Sequence, residues 1–154
     1  MEPNPKVSLI RKGIEIARQE QIDCILAIGG GSAIDSAKGI CLGLAHNRDP
    51  WEMVEKGIAP EKHFPLAVVL TIAASGSEMS YSHVVTNADL HRKRSLNHDL
   101  LRPDFSFENP LLTMTVSRYQ TACGIVDIMM HTLERYFTPH GIQILPIDWQ
   151  KGCS

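Results

Sequence analysis

No apolar run in this sequence approaches the roughly 18 residues needed to span a bilayer. The opening Met1-Glu2-Pro3-Asn4-Pro5 also lacks the basic-then-apolar layout of a secretory signal. A cytoplasmic protein with no membrane partner is therefore expected. No C-x-x-C pair occurs among the four cysteines, Cys24, Cys41, Cys123 and Cys153, which removes the commonest zinc and redox spacings. Cys24, Cys41 and Cys123 sit in apolar segments, where a small reduced thiol suits packing. Neither sign of charge dominates: 15 Lys and Arg stand against 17 Asp and Glu, a net charge of -2. Nothing electrostatic therefore favours nucleic acid or an anionic surface as partner. Internal repeats and low-complexity tracts are absent. What remains is a chain of 154 residues, 44% hydrophobic and 21% charged, the composition of an ordinary globular protein.

Along the chain, Val7, Ile10, Ile14 and Ala17 recur at helical spacing between Lys6 and Arg18. The short apolar run from Asp23 to Ile28 then ends at three glycines, as expected of a strand buried on both faces of a parallel sheet. After Ser32, the positions Ile34, Ala37, Ile40, Cys41 and Leu44 return to helical period. Helix, strand, glycine turn and helix in that order predict an α/β architecture. Asn47 to His63, with Pro50, Gly57 and Pro60, reads as a surface connection with one short helical turn around Trp51 to Val54. Leu66 to Ile72 is a second buried strand by its β-branched content. His83 to Thr86 and Arg92 to Leu96 flank a turn-like Asn87-Ala88-Asp89, predicting a polar surface hairpin. Ser117 with Gln120 matches a capping box, and Ile125, Ile128, Met129, Thr132, Leu133 and Tyr136 continue a helix, read as buried, to Pro139. Beyond it, 140–154 has no period and is expected to be irregular.

Three places have residue types suited to chemistry. Gly29-Gly30-Gly31-Ser32 lies between strand and helix, where bare backbone and unpaired helix N–H groups can approach a pyrophosphate. It is not a full G-x-G-x-x-G, and a tight turn without ligand explains it equally well. Thr71 to Glu78 is a second loop of small residues at a strand end, where open parallel sheets bind ligands. Hydroxyls at Thr71, Ser75 and Ser77 suit a dinucleotide or ribose, or serve only their own turn. Asp127 and His131, four apart, share one helix face and supply an oxygen and a nitrogen donor suited to Fe(II) or Zn(II). A surface Asp–His hydrogen bond accounts for the same spacing. The basic Arg92-Lys93-Arg94 reads as a solvated face. His46, His63, His83, His91 and His98 fall in polar loops and receive no role.

Taken together, Glu2-Pro3-Asn4-Pro5, Gly29 through Lys38, Ser75-Gly76-Ser77-Glu78 and Gly124 through Glu134 occur in the order and context of the iron-type, group III alcohol dehydrogenases. From Pro3 to Pro139 the sequence resembles that family, most closely its butanol dehydrogenase branch. The resemblance implies a partial Rossmann-like, dehydroquinate synthase-like α/β domain followed by the first helices of an all-α domain. The corresponding boundaries are 1–116 for an incomplete dinucleotide-binding domain, 117–139 for the start of a helical metal-binding domain, and 140–154 for an unmatched tail. It implies NAD or NADP as cofactor, Fe(II) or Zn(II) as metal, and a small alcohol or aldehyde as substrate. By motif, Gly30, Gly31 and Ser32 would hold the pyrophosphate, Thr71, Ser75 and Lys93 would line the rest of the dinucleotide site, and Asp127 and His131 would be the first two metal ligands.

The family completes its metal site with two later histidines that this sequence does not match, and His140 is a poor substitute. An impaired dehydrogenase fragment is therefore expected, with no side-chain nucleophile required. A non-catalytic nucleotide-binding remnant and a truncation unable to fold alone stay open as alternatives. So do a homo-oligomeric state and, less well matched at the Asp127 helix, the glycerol dehydrogenase and dehydroquinate synthase branches of the superfamily.

Overall fold

A computed structural model of the chain describes residues 4–137. The tail 140–154, His140 and Cys153 lie outside the described residues. The chain divides into two units, Met1–Thr115 and Val116–Ser154.

In the first unit, α1 (Val7–Gln19) buries Val7, Ile10, Ile14 and Ala17, the four positions its period singles out. Strand β1 (Ile25–Gly29) leads directly into α2 (Gly31–His46). Helix α3 (Pro50–Lys56) is the short helix expected around Trp51, and its local causes are plain. Asp49 accepts from the N–H groups of Trp51 and Glu52 at 2.9 and 3.3 Å, Pro50 opens the first turn, and Gly57 closes the helix at φ 63°. The segment is less peripheral than its prolines suggest, because Trp51, Met53 and Val54 enter the core.

Strands β1, β2 (Leu66–Leu70) and β5 (Phe105–Phe107) form a parallel sheet in the order β1-β2-β5. Strand β5 has no counterpart in the sequence reading, since three residues are too few to show a period. The antiparallel pair β3 (Ser82–Asn87) and β4 (Arg92–Asn97) is the expected hairpin. It is not simply a polar surface element: His83, Val85, Asn87 and Leu96 are buried, because every second residue of β3 points inward.

Helix α2 is the centre of this unit. Ile34, Ala37 and Cys41 pack on Ala27, Leu66, Val68 and Leu70 of the sheet. On its other side Leu42 joins Ile10, Ile14, Trp51 and Val85. A helix covered on both sides needs apolar or small residues all round, which is why Ala33, Gly39 and Gly43 are buried too.

The sheet, by contrast, is covered on one face only. Leu26 and Ile28 of β1 are 54% and 58% exposed, so the expectation of a strand buried on both faces is corrected. In register with them across β2 stand Phe105 and Phe107, also exposed, with rings in edge contact at 5.4 Å. Among the described residues of this unit, helices pack on the opposite face alone. Of the three cysteines expected to pack, only Cys41 is buried; Cys24 and Cys123 are exposed.

The entry of the sheet is pinned by an ion pair. The Asp104 carboxylate accepts from the Leu66 N–H at 2.8 Å, and the Asp104 N–H donates to the Leu66 carbonyl at 2.8 Å. His63 places Nε2 3.0 Å from that carboxylate and Nδ1 3.0 Å from the Leu100 carbonyl. Both ring nitrogens thus face acceptors, an arrangement only imidazolium satisfies. Partial burial opposes the cation, but the Leu100 carbonyl and Asp104 outweigh it and raise the His63 pKa. For Asp104, burial is likewise outweighed, by the Leu66 N–H and His63, and its pKa is lowered.

The His63 contribution is full below the ordinary imidazole value and fades as pH rises through the raised one. The Asp104 contribution is full above the ordinary carboxyl value and fades as pH falls through the lowered one. The pair is therefore worth most from about pH 4 to about pH 6.5. Because both groups are partly solvated, we expect a loss of only about 2 °C in Tm on the alkaline side. Melting curves of the parent and His63→Ala against pH check this: the parent should lose more Tm than the variant between neutral and mildly alkaline buffer, and parallel curves would count against the pair.

The second unit is described through α4 (Arg118–Phe137). The Gln120 N–H donates to Ser117 Oγ at 3.2 Å, as the capping motif requires. No residue of α4 is buried, and Ile125, Val126, Ile128 and Met129 are all more than half exposed. The expectation of a buried helix is thus corrected: none of the residues of α4 is buried. No helix among them is long and apolar enough to cross a membrane.

Candidate functional site

The first unit brings the two small-residue loops together at the carboxyl ends of β1 and β2. Gly29 ends β1 at φ 154° and accepts from the Thr71 N–H at 3.1 Å. Gly30 then precedes α2 in extended conformation, and no side chain caps that helix. The first N–H groups of any helix lack intrahelical partners, and the aligned peptide dipoles make that end partially positive. The closeness of the loops is set by missing side chains. A Cβ on Gly30 would collide with Ile72 Cγ2, and one on Gly31 would collide with Ser75 Oγ. The turn and the second loop can meet only because both positions are bare.

Of the proposed cofactor residues, Gly30 and Gly31 are half-buried at this junction, Ser32 is exposed in the first turn of α2, Thr71 is half-buried and Ser75 exposed. Lys93 lies on β4 opposite Thr86 and is exposed. Its charge favours ionisation of Asp35 in α2, as the smallest of several influences there. Ser77, grouped with the ligand-binding hydroxyls in the sequence, has a different use. It is buried and donates to Asp35 Oδ1 at 3.0 Å.

Beneath this surface lies a buried polar cluster that sequence reasoning missed. Lys38 is 1% exposed and donates from Nζ to the carbonyls of Ser80 and Ser82 at 2.7 and 2.8 Å. Burial pushes its pKa down to about 8, against the pull of Asp35 and Glu78. Burial also raises the Asp35 pKa, opposed by the Ser77 hydroxyl and by Lys38. His83, treated as a loop residue in the sequence, is fully buried in β3, where the Asp35 backbone is its only polar influence in favour of the charged form. Burial, reinforced by Lys38, pushes it down to about 4, so the ring is neutral at physiological pH. The available signal was Asp35 and Lys38 three apart in a helix otherwise built of small and apolar residues.

In the second unit, Asp127 and His131 do share one face of α4, with Oδ2 and Nε2 3.7 Å apart and side chains 64% and 66% exposed. That separation is too long for a hydrogen bond. Glu134 lies 3.7 Å from the other ring nitrogen. No group of three His, Cys, Asp or Glu side chains among the described residues could hold a metal ion. The donors therefore fit a metal in kind but not in number, since a catalytic ion takes about three protein ligands and an open position.

Comparison with known proteins accounts for this set of parts. The family model for iron-containing alcohol dehydrogenase matches residues 1–110. The NADH-dependent butanol dehydrogenase A of Clostridium acetobutylicum is 46% identical over 138 residues, 90% of this chain and 36% of that protein. A probable NADH-dependent butanol dehydrogenase of Bacillus subtilis is 42% identical over 137 residues, 89% of this chain and 35% of its own length. Among solved structures, NADH-dependent butanol dehydrogenase A from Thermotoga maritima matches with a TM-score of 0.82 and 36% identity, over 89% of this chain and 34% of that one. Sulfoacetaldehyde reductase from Bifidobacterium kashiwanohense in complex with NAD+ matches with a TM-score of 0.84 and 29% identity, over 94% and 39%. The chain thus spans about a third of the length of the relatives it matches, and it belongs to the iron-containing alcohol dehydrogenase family, as a butanol dehydrogenase-like member.

Proposed function

We propose that this chain is the cofactor-binding part of an NAD(P)-dependent alcohol dehydrogenase, together with the helix that supplies the first two metal ligands. The observation that carries the reading is the close fit of Gly30 and Gly31 against Ile72 and Ser75, at the carboxyl edge of a parallel sheet and the start of an uncapped helix. Such an edge is where open α/β sheets take dinucleotides. Gly30, Gly31 and Ser32 would present backbone N–H groups to the pyrophosphate. Thr71 and Ser75 would donate hydroxyls to the remainder, and Lys93 would add a positive charge. The divisions at 1–116 and 117–139 follow from this reading, as does a small primary alcohol or aldehyde as substrate.

When bound, a nicotinamide cofactor supplies the hydride acceptor or donor, and the protein's part is to hold and orient it. Asp127 and His131 would contribute a carboxylate oxygen and an imidazole nitrogen to Fe(II) or Zn(II), of which the family's name favours iron. With two such donors among the described residues, the metal is given no step. That shortfall favours one second reading, a nucleotide-binding remnant without catalysis.

Paired titrations separate the two. Saturable quenching of tryptophan fluorescence by NADH is expected in both. Binding of Fe(II) or Zn(II) that His131→Ala weakens is expected only if α4 acts as a ligand helix. An absence of NADH binding to a folded chain would sink the proposal.

A further inference from the structure

We infer that Lys38 is a positioning residue that, with Asp35, straps the second loop to the helix whose start forms the glycine turn. Its cofactor-related half rests on the dinucleotide reading above. The geometry is that of a two-point clamp. Asp35 and Lys38 lie on successive turns of α2. Asp35 receives the Ser77 hydroxyl, while Lys38 Nζ donates to the carbonyls of Ser80 and Ser82. The segment 77–82 is thereby held near both ends, just beyond the residues that rest on Gly30 and Gly31.

Burying a lysine this completely opposes folding unless its charge is compensated and its N–H groups are bonded. Here Asp35 and Glu78 supply the opposite charge and two carbonyls accept. A side chain needed only to fill space beside α2 would be apolar, as Ala37 and Cys41 are.

The charge has a second consequence. Asp35 stands within two turns of the helix start proposed to face a diphosphate, where a lone carboxylate would repel the ligand. Lys38 from within and Lys93 from the surface offset it. Removing Lys38 should therefore both loosen the loop and expose the ligand to that carboxylate. Deleting the Asp35 charge as well should recover the electrostatic part alone.

The test uses the full 154-residue chain and the variants Lys38→Met, Lys38→Arg, Ser77→Ala and the double variant Lys38→Met with Asp35→Asn. Hydrogen–deuterium exchange without ligand reads the strap. In Lys38→Met, amides of 75–82 should exchange about tenfold faster while those of α1 keep their protection. Lys38→Arg should restore part of it. NADH titration reads the charge: the Kd of Lys38→Met should rise about tenfold, and Asp35→Asn added to it should recover about half of that loss on a logarithmic scale. A merely structural role predicts no such recovery.

Unchanged exchange at 75–82 in Lys38→Met, or a double variant that binds no better than Lys38→Met, would overturn the inference. If Lys38→Met does not fold, Ser77→Ala decides. It removes only the Asp35 bond, should speed exchange in 75–82 a few-fold, and sinks the strap if it does not. A parent chain that binds no NADH defeats the functional reading instead, while the exchange arm still judges the strap.

Discussion

Gly31→Val should weaken NADH binding by about ten- to hundredfold, the loss set by overpacking one methyl-sized position in a closed junction. A Cβ at residue 31 would lie inside the contact radius of Ser75 Oγ, and valine adds two methyl groups to that collision. The chain can respond by pushing the 71–77 loop away or by shifting the start of α2. Either movement separates the hydroxyls of Thr71 and Ser75 from the helix N–H groups they accompany. Gly30→Val should act similarly through Ile72. Fluorescence titration gives the Kd, and a melting curve in the same buffer shows whether the variant remains folded. Gly57→Ala is the matching control, because a Cβ there meets nothing within 4 Å and only the φ of 63° resists it. It should lower Tm by a few degrees, from a penalty of about 1 kcal/mol, and leave NADH affinity alone. Gly31→Val binding as tightly as the parent would remove the close approach from the account of the site.

What the sequence made legible was local pattern. The four buried positions of α1 follow from a period of 3.6, the strand ahead of the glycines from its unbroken apolar run, and the paired strands from the turn residues Asn87 to Asp89 between them. Burial was less readable, because it depends on what lies across from a face. Leu26 and Ile28 read as interior, yet are open, because helices cover only the other side of the sheet. Helix α4 has the composition of a core helix and no buried residue. Conversely, the sequence reading places His83 in a polar loop and gives Lys38 no place, yet both sit inside, since the burial of a charged or polar side chain depends on groups far along the chain. Ser80 and Ser82 are more than forty positions from Lys38. At the candidate site, the glycines and the second loop are visible in the sequence as separate motifs, whereas their contact is made only by the fold. The split use of its hydroxyls, with Ser75 at the glycine turn and Ser77 bonded to Asp35, could not be read from two serines spaced two apart.

Metal-dependent reduction of butanal by NADH should be at least about a thousandfold slower with this chain than with a full-length relative assayed beside it. A metal acting as Lewis acid contributes several kcal/mol of transition-state stabilisation, and each 1.36 kcal/mol lost is a factor of ten. The chain offers Asp127 and His131, each about two-thirds exposed on α4, and no three-donor group among its described residues. Two solvated donors compete with water for the ion and leave it neither fixed nor shielded, so an ion that does bind has no defined open position for a substrate oxygen. Nucleotide binding as proposed has no such dependence, because the residues proposed for it, Gly30 to Lys93, all lie within Met1–Thr115. The two properties should therefore separate: NADH saturation in the parent chain, negligible turnover with Fe(II) or Zn(II), and no further loss of turnover in Asp127→Ala or His131→Ala. Turnover comparable to the relative's that disappears on chelation and in His131→Ala would show that the donors of this chain suffice. The remnant reading would then give way to a working, if shortened, dehydrogenase.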